Sequence, residues 1–387
     1  MGYASTDDLS PEQAKLLVAK AVDAASCLES EEQVFLGEGG QVYETVTREP
    51  YELPTTEELI RTVLATQEKL YAADPAVIDG TESKGISEHY EIAIYNSKGL
   101  DLSYQGNASG LIAVGVVSDG TDMANDFRFK LGKLDTIDTD ELAKTAVENA
   151  KVQLGGGVAP TGQYDVVFSP DAMRRILQVF SSVFSSEAAQ KGLSRLADKE
   201  GQIIAAPMVS LVDDPFHPES PEPIPFDAEG SPTHKKHIIQ QGKLNTLLYN
   251  LKTAAVAGKK TTGNAAKAGY DSAVMVRPFT MYLENGDKTP EELMQMAEGC
   301  VLITKVEGLH AGANAISGDF SLQSFGFMIE GGKKGQYVRS FTVAGNFYEL
   351  LKNIKALAND CQVPMATGMT AFGSPTVLVG GLSIAGK

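Results

Sequence analysis

The run from Asn314 to Asn346, NAISGDFSLQSFGFMIEGGKKGQYVRSFTVAGN, constrains the folding of this chain more than any other stretch. Phe325 to Ile329 and Gln336 to Val343 are rich in aromatic and β-branched residues, which suit a pleated, half-buried surface. Between them Glu330-Gly331-Gly332-Lys333 offers glycines where a tight hairpin turn needs positive φ. Two antiparallel strands are therefore predicted. A helix is predicted to begin at Asn346, whose side chain can cap exposed amides while Glu349 takes the third helical position. Phe347, Leu350, Leu351, Ile354 and Leu357 continue at helical spacing.

The same rules organise the rest of the 387 residues. Ser10-Pro11-Glu12-Gln13 opens a helix through Ala25 with a capping-box pattern, and Thr55-Thr56-Glu57-Glu58 opens another that ends near Asp74-Pro75. Between Glu88 and Leu131 the pattern changes to strands: Tyr90, Ile92 and Ile94 alternate with polar neighbours, Ser97-Lys98-Gly99 turns, and Leu111 to Val117 is apolar. Asp138-Thr139-Asp140-Glu141 starts a helix with the face Leu142, Ala146, Val147 and Ala150. Gly155-Gly156-Gly157 and Pro160-Thr161-Gly162 then break both periodicities. The expected division is a mixed α+β domain over residues 1–155 and a second domain over 156–387. The second holds a strand from Tyr164 to Phe168 and a helix capped by Ser169 with Pro170 first. The apolar stripe of that helix is Met173, Ile176, Leu177, Phe180, Val183 and Phe184. A hairpin from Ile238-Ile239 to Leu247-Leu248 across Gln241-Gly242, a helix Pro290 to Glu298 behind Thr289 and a strand Val301 to Val306 complete the pattern.

Charge and composition narrow the function. A formal net charge of -17 argues against direct binding of nucleic-acid phosphates, which relies on Lys and Arg displacing counterions. Acidity is densest from Asp7 to Glu58, as a solvated face or a surface for a basic partner. No apolar run is long enough to cross a bilayer and the N-terminus lacks a signal-peptide layout, so the cytoplasm is the expected location. Cys27, Cys300 and Cys361 are odd in number and far apart, as reduced thiols are. His217, His234 and His237 with Asp213, Asp214, Glu219, Asp227 and Glu229 form the only concentration of imidazole and carboxylate. Six interspersed prolines place them on no repeating face, and a solvated loop is expected there. Gly258 to Asn264 lacks the lysine of a phosphate loop, and Gly106 to Gly110 is one residue off a nucleophile elbow.

Further landmarks share a characteristic order: Glu187-Ala188-Ala189-Gln190-Lys191-Gly192, Val212-Asp213-Asp214, Asp227 to Thr233, Thr262-Gly263-Asn264, Pro375-Thr376-Val377 and Gly381 to Gly386. With the 314–346 run, they make the chain resemble the TldD/PmbA family, the "modulator of DNA gyrase" metallopeptidases. The Gln190-Lys191-Gly192 and Gly318-Asp319-Phe320 wording is closer to the PmbA (TldE) branch. The resemblance implies that the second domain is β-rich and barrel-like with outer helices, so the whole is α+β. It also implies an additional strand-rich segment before a Gly2-Tyr3-Ala4-Ser5-Thr6-like stretch. The first sheet here is thus expected to lack strands and to leave an edge exposed.

The catalytic TldD branch carries His-Glu-x-x-x-His shortly before the Lys-Gly landmark, whereas no histidine stands between Met173 and Gln190 here. Zinc hydrolysis needs imidazole ligands and a carboxylate base. The resemblance therefore implies a subunit without catalytic residues or metal of its own, paired with a TldD-like zinc subunit in a cytoplasmic peptidase for unfolded peptides. Precursor peptides of modified natural products or short-lived antitoxins are the implied substrates. Gly318, Asp319, Phe320, Ser321, Gly345 and Asn346 are expected near the peptide cleft or subunit interface. Cys361, near the position of a cysteine ligand in the catalytic branch, is read as an ordinary thiol at a helix end. The alternatives are an autonomous metallopeptidase with atypical ligands such as His217, His234 or Cys361, and a homodimeric binding protein or gyrase modulator.

Overall fold

The computed structural model describes residues 2–29, 33, 35–44, 51–218, 220, 223–269, 271–363 and 370–386. Helix α1 (Pro11–Ser26) buries none of its residues. The capping box expected at Ser10 is absent: the serine side chain makes no cap bond, and its amide donates to Asp8 Oδ1 at 2.9 Å rather than to Gln13. Helix α2 (Thr56–Ala73) does have the expected box, with Thr55 and Glu58 bonded reciprocally. Strands β1 (Glu82–Tyr95), β2 (Asp101–Ser118) and β3 (Met123–Leu131) form an antiparallel meander with β1 and β3 outermost. Helix α3 (Thr139–Lys151), capped by Asp138, lays Ala143, Ala146, Val147 and Ala150 beside Leu70 of α2 and over Ala113, Val117 and Ala124 of the sheet. Small residues bring helix and sheet close. A Cβ at Gly115 would stand 3.1 Å from the Ala146 backbone.

Beyond the glycine-rich stretch, β4 (Gly162–Phe168) leads through Ser169, which accepts from the Ala172 amide, into α4 (Pro170–Phe180). The predicted stripe outlasts this helix. Phe180 leaves helical geometry, Ser181–Phe184 forms a 3-10 turn, and α5 (Ser186–Gln190) follows. The hairpin of β5 (Leu211–Asp213), β6 (Lys236–Gln240) and β7 (Lys243–Leu244) turns directly at Gln241 and Gly242, both at positive φ. Leu247-Leu248, expected as its second arm, instead lies beside Ser185-Ser186, where the Ser186 amide donates to the Leu248 carbonyl at 3.0 Å. Next come α6 (Leu251–Ala257), β8 (Ala265–Ala266), β9 (Met275–Val276), β10 (Thr280–Leu283), α7 (Pro290–Met296), β11 (Val301–Glu307) and α8 (Leu309–Gly312). The predicted hairpin is β12 (Asp319–Glu330) and β13 (Lys333–Asn346), longer at both ends than its apolar cores. The chain closes with α9 (Phe347–Lys352), β14 (Ile354–Leu357), β15 (Ala371–Gly373) and β16 (Val377–Ala385).

Ile354 and Leu357, predicted to continue the last helix, are in a strand. They pair with Val379 and Val377 of β16, and this long-range ladder overrides a helical spacing spanning barely two turns. The order β13-β12-β11-β4-β16 returns to β13 through Thr342↔Ala385, Val343↔Ile384 and Ala344↔Ser383, so five strands close into a barrel with β14 attached to β16. A second sheet runs β15-β10-β5-β6-β7. The main core joins Val166 and Phe168 of β4 to the α4 stripe and to Phe320, Phe341 and Phe347. The architecture is α+β with a β-barrel. Among the described residues no helix is long and apolar enough to cross a membrane.

Candidate functional site

The six residues singled out from the sequence lie where the long hairpin meets α9. Asp319 pairs with Asn346 and Phe320 with Gly345 at the open end of the hairpin. Asn346 joins three pieces. Its amide nitrogen donates to the Ser317 carbonyl at 2.9 Å and to Asp319 Oδ1 at 2.8 Å, while its oxygen accepts from the Tyr348 and Glu349 amides. The bonds from Asn346 and Ser317 hold the Asp319 carboxyl below its usual range. Gly318 sits at φ +81, and a Cβ there would meet the Tyr348 ring at 2.5 Å. Any side chain would be strained twice, by backbone and by contact. Phe320 and Gly345 face inward: Phe320 is buried against Phe180, and a Cβ on Gly345 would strike Leu382 and the Phe320 ring. Asp319 and Ser321 are exposed. The structure thus brings Gly318, Asp319 and Asn346 into one interlocked turn of which Asp319 is the exposed member, and places Phe320 in the core with Gly345 packed half-buried against it.

This turn adjoins a second landmark. The Arg195 amide donates to the Tyr348 hydroxyl at 3.3 Å, that hydroxyl donates to the Ala315 carbonyl at 3.4 Å, and the Arg195 guanidinium lies 5.6 Å from the Tyr348 ring centre. Sequence reasoning named neither Arg195 nor Tyr348. Arg195 stands three residues after Gly192 and Tyr348 two after Asn346, so proximity to the landmarks was the available signal.

Met173, Ile176, Leu177, Phe180, Val183 and Phe184 are all buried in the main core. Phe180 stacks on Phe347 of α9 at 4.6 Å and 7°, and Phe184 meets the same ring edge-on. This hydrocarbon surface offers no nitrogen or carboxylate to a cation, so the residues do not fit zinc. Among the described residues, no group of three His, Cys, Asp or Glu side chains could hold a metal ion.

The polar stretch from Asp213 to His237 is not the solvated loop expected. Asp213 is fully buried: one oxygen accepts from the Phe279 and Thr280 amides, the other from Asn264 Nδ2 at 2.7 Å and Lys236 Nζ at 3.2 Å. Asp227 is buried too and accepts from the Glu229, Ser231 and Ala265 amides. Such saturation is what makes burial of a carboxylate tolerable. The histidines diverge. His217 meets the Tyr282 ring edge-on at 4.8 Å, His237 pairs with Glu284 at 3.3 Å, and His234 is exposed; Glu219 lies outside the described residues. Cys361 is in the loop after β14 rather than at a helix end. Its thiol donates to the Leu283 carbonyl, and burial pushes its pKa up to about 12, which opposes the thiolate form a metal requires.

The geometry agrees with what the chain is similar to. The family model described as the PmbA/TldA metallopeptidase C-terminal domain matches residues 161–386, and the model of the central domain matches residues 49–154. The metalloprotease PmbA homolog of Haemophilus influenzae is 27% identical over 93% of this chain and 79% of its own length. A Thermotoga maritima crystal structure described as a candidate modulator of a DNA gyrase is 31% identical, with a TM-score of 0.86 over 98% of this chain and 85% of that one. TldE from Thermococcus kodakarensis shares the fold, with a TM-score of 0.89 at 24% identity over 99% and 87% of the two chains. The chain belongs to the PmbA/TldD metallopeptidase family.

Proposed function

We propose that the chain is the non-catalytic, PmbA/TldE-type subunit of a cytoplasmic zinc peptidase whose metal is held by a TldD-type partner, and that the pair cleaves unfolded peptides. One observation carries the reading. Where the catalytic branch resembled by this sequence has its metal motif, the stripe from Met173 to Phe184 is buried and stacked on α9. A subunit without ligands can still contribute by shaping a cleft that excludes folded chains and water. The interlocked turn of Gly318, Asp319 and Asn346 is the proposed contact with cleft or partner, since it is rigidly bonded yet carries an exposed carboxylate. The test has two arms. Elemental analysis of the purified chain, dialysed without chelator, is expected to find zinc well below one equivalent. Cleavage of a disordered peptide is expected only after addition of a family subunit carrying His-Glu-x-x-x-His. Chelator-sensitive cleavage by the chain alone would overturn the reading and make it a peptidase in its own right.

A further inference from the structure

The two landmark loops converge on an exposed cation, Arg195. The Tyr348 hydroxyl bonds the Arg195 amide on one side and the Ala315 carbonyl on the other, so the 193–195 and 315–319 segments are neighbours. The guanidinium rests over the Tyr348 ring. Among the described residues it forms no ion pair. Asp319, whose carboxyl it helps to hold below the usual range, is bonded to Asn346 instead. The two segments that Tyr348 bridges each carry an exposed apolar side chain, Leu193 two residues before Arg195 and Ile316 next to Ala315, with 44% and 49% of their surfaces open to solvent. A guanidinium laid on a ring keeps its N–H edge available, and its fork matches a carboxylate. Stacking also limits the rotamer freedom that binding would otherwise remove.

We infer that this surface is a binding site for the free C-terminus of an extended peptide, with Arg195 taking the terminal carboxylate and Leu193 and Ile316 taking an apolar last side chain. A C-terminal residue offers carboxylate and hydrocarbon from one Cα, the two chemistries that these neighbouring segments carry. An acidic side chain offers the carboxylate alone. The inference rests on the peptide-handling reading above and names the part of the substrate that this subunit holds.

The experiment uses the full isolated chain and fluorescence anisotropy. The probe is an N-terminally labelled peptide, Gly-Ser-Gly-Ser-Ala-Leu, as free acid, as C-terminal amide, and as an amide with Glu in the last position. The free acid is expected to bind about tenfold or more tighter than its amide. Arg195→Gln should lose that preference by weakening free-acid binding to the level of the amide. Arg195→Lys, which keeps charge but loses the fork, should fall between. Equal binding of acid and amide, an unchanged Arg195→Gln, or no binding at millimolar peptide would each overturn the inference. Binding of the Glu amide as tight as the free acid would overturn the C-terminus as the ligand. Failure here with intact stimulation of a TldD-type subunit removes only this site. Binding without any such stimulation removes the subunit reading and leaves a peptide binder.

Discussion

Asp227 and Glu229 show how far a residue's behaviour can depart from its letter. Three amides donate to Asp227, which favours the charged form, yet burial outweighs them and pushes its pKa up to about 6. Glu229 accepts from the Leu251 amide, and burial with the nearby Asp227 charge pushes it up to about 7. Both values lie above those of an unfolded chain, about 4. Folding therefore favours the protonated forms. That stabilisation is complete below about pH 4 and is lost as pH rises through 6 and 7. Glu229→Gln, which keeps an oxygen for the Leu251 amide, is expected to match the parent at pH 4 and to exceed it at pH 8 by about 1–3 kcal/mol. Urea titrations at the two pH values decide; a gain of equal size at both would refute the electrostatic cause. Neither value was legible in the sequence. The prolines around this stretch suggested solvent, whereas several of the donors that let Asp213 and Asp227 stay inside come from residues 264–265 and 279–280, far along the chain.

At the scale of elements, local chemistry was read well where it acts locally. The capping residues Thr55, Asp138, Ser169, Thr289 and Asn346 all accept from the first-turn amides of the helices they were expected to start. Ser10 does not, and the reciprocal half of its box is also missing, since its amide donates to Asp8 instead of Gln13. The hairpin turn was legible for the same reason. Gly331 and Gly332 stand at φ +59 and +68, and the Glu298 carboxylate accepts both of their amides at 2.9 and 2.6 Å. A Cβ at Gly331 meets nothing within 4 Å, so Gly331→Ala is expected to cost only the backbone strain, about 1 kcal/mol. A Cβ at Gly332 would lie 2.7 Å from Gln295 Cγ, so Gly332→Ala should cost more, about 2 kcal/mol. Thermal denaturation of the two variants checks the order, and the reverse ranking would show that Gln295 yields freely. What failed was the reading of Ile354 to Leu357 as helix. Its apolar spacing fits either period, and only β16, more than twenty residues later, settles it.

The whole molecule depends on pairings that no window of sequence contains. Barrel closure joins residues 342–344 to 383–385, and β4 lies between β11 and β16 although more than a hundred residues separate it from either. The barrel was expected only through the family resemblance, since alternation identifies strands but not their neighbours. The seam between the three-stranded sheet and the barrel was equally invisible. There Asp122, just ahead of β3, accepts from Arg339 Nη1 of β13 at 2.6 Å and from the Gly155 amide at 3.1 Å. Arg128 of β3 lies 3.5 Å from Asp171 on α4, and Tyr43 donates to the Gly230 carbonyl at 2.9 Å. Exposed ion pairs of this kind add little to global stability. Their effect should instead be coupling, keeping two units from opening separately. Asp122→Ala removes the Arg339 link and, with it, the bond from the Gly155 amide. It is expected to leave the barrel unchanged while amide exchange in β3 becomes faster than in β4 and β16 at moderate urea. Hydrogen exchange followed peptide by peptide reads this directly. If β3 and the barrel strands still exchange together in the variant, Asp122 does not couple the units, and their cohesion lies in the contacts around Arg128 and Tyr43.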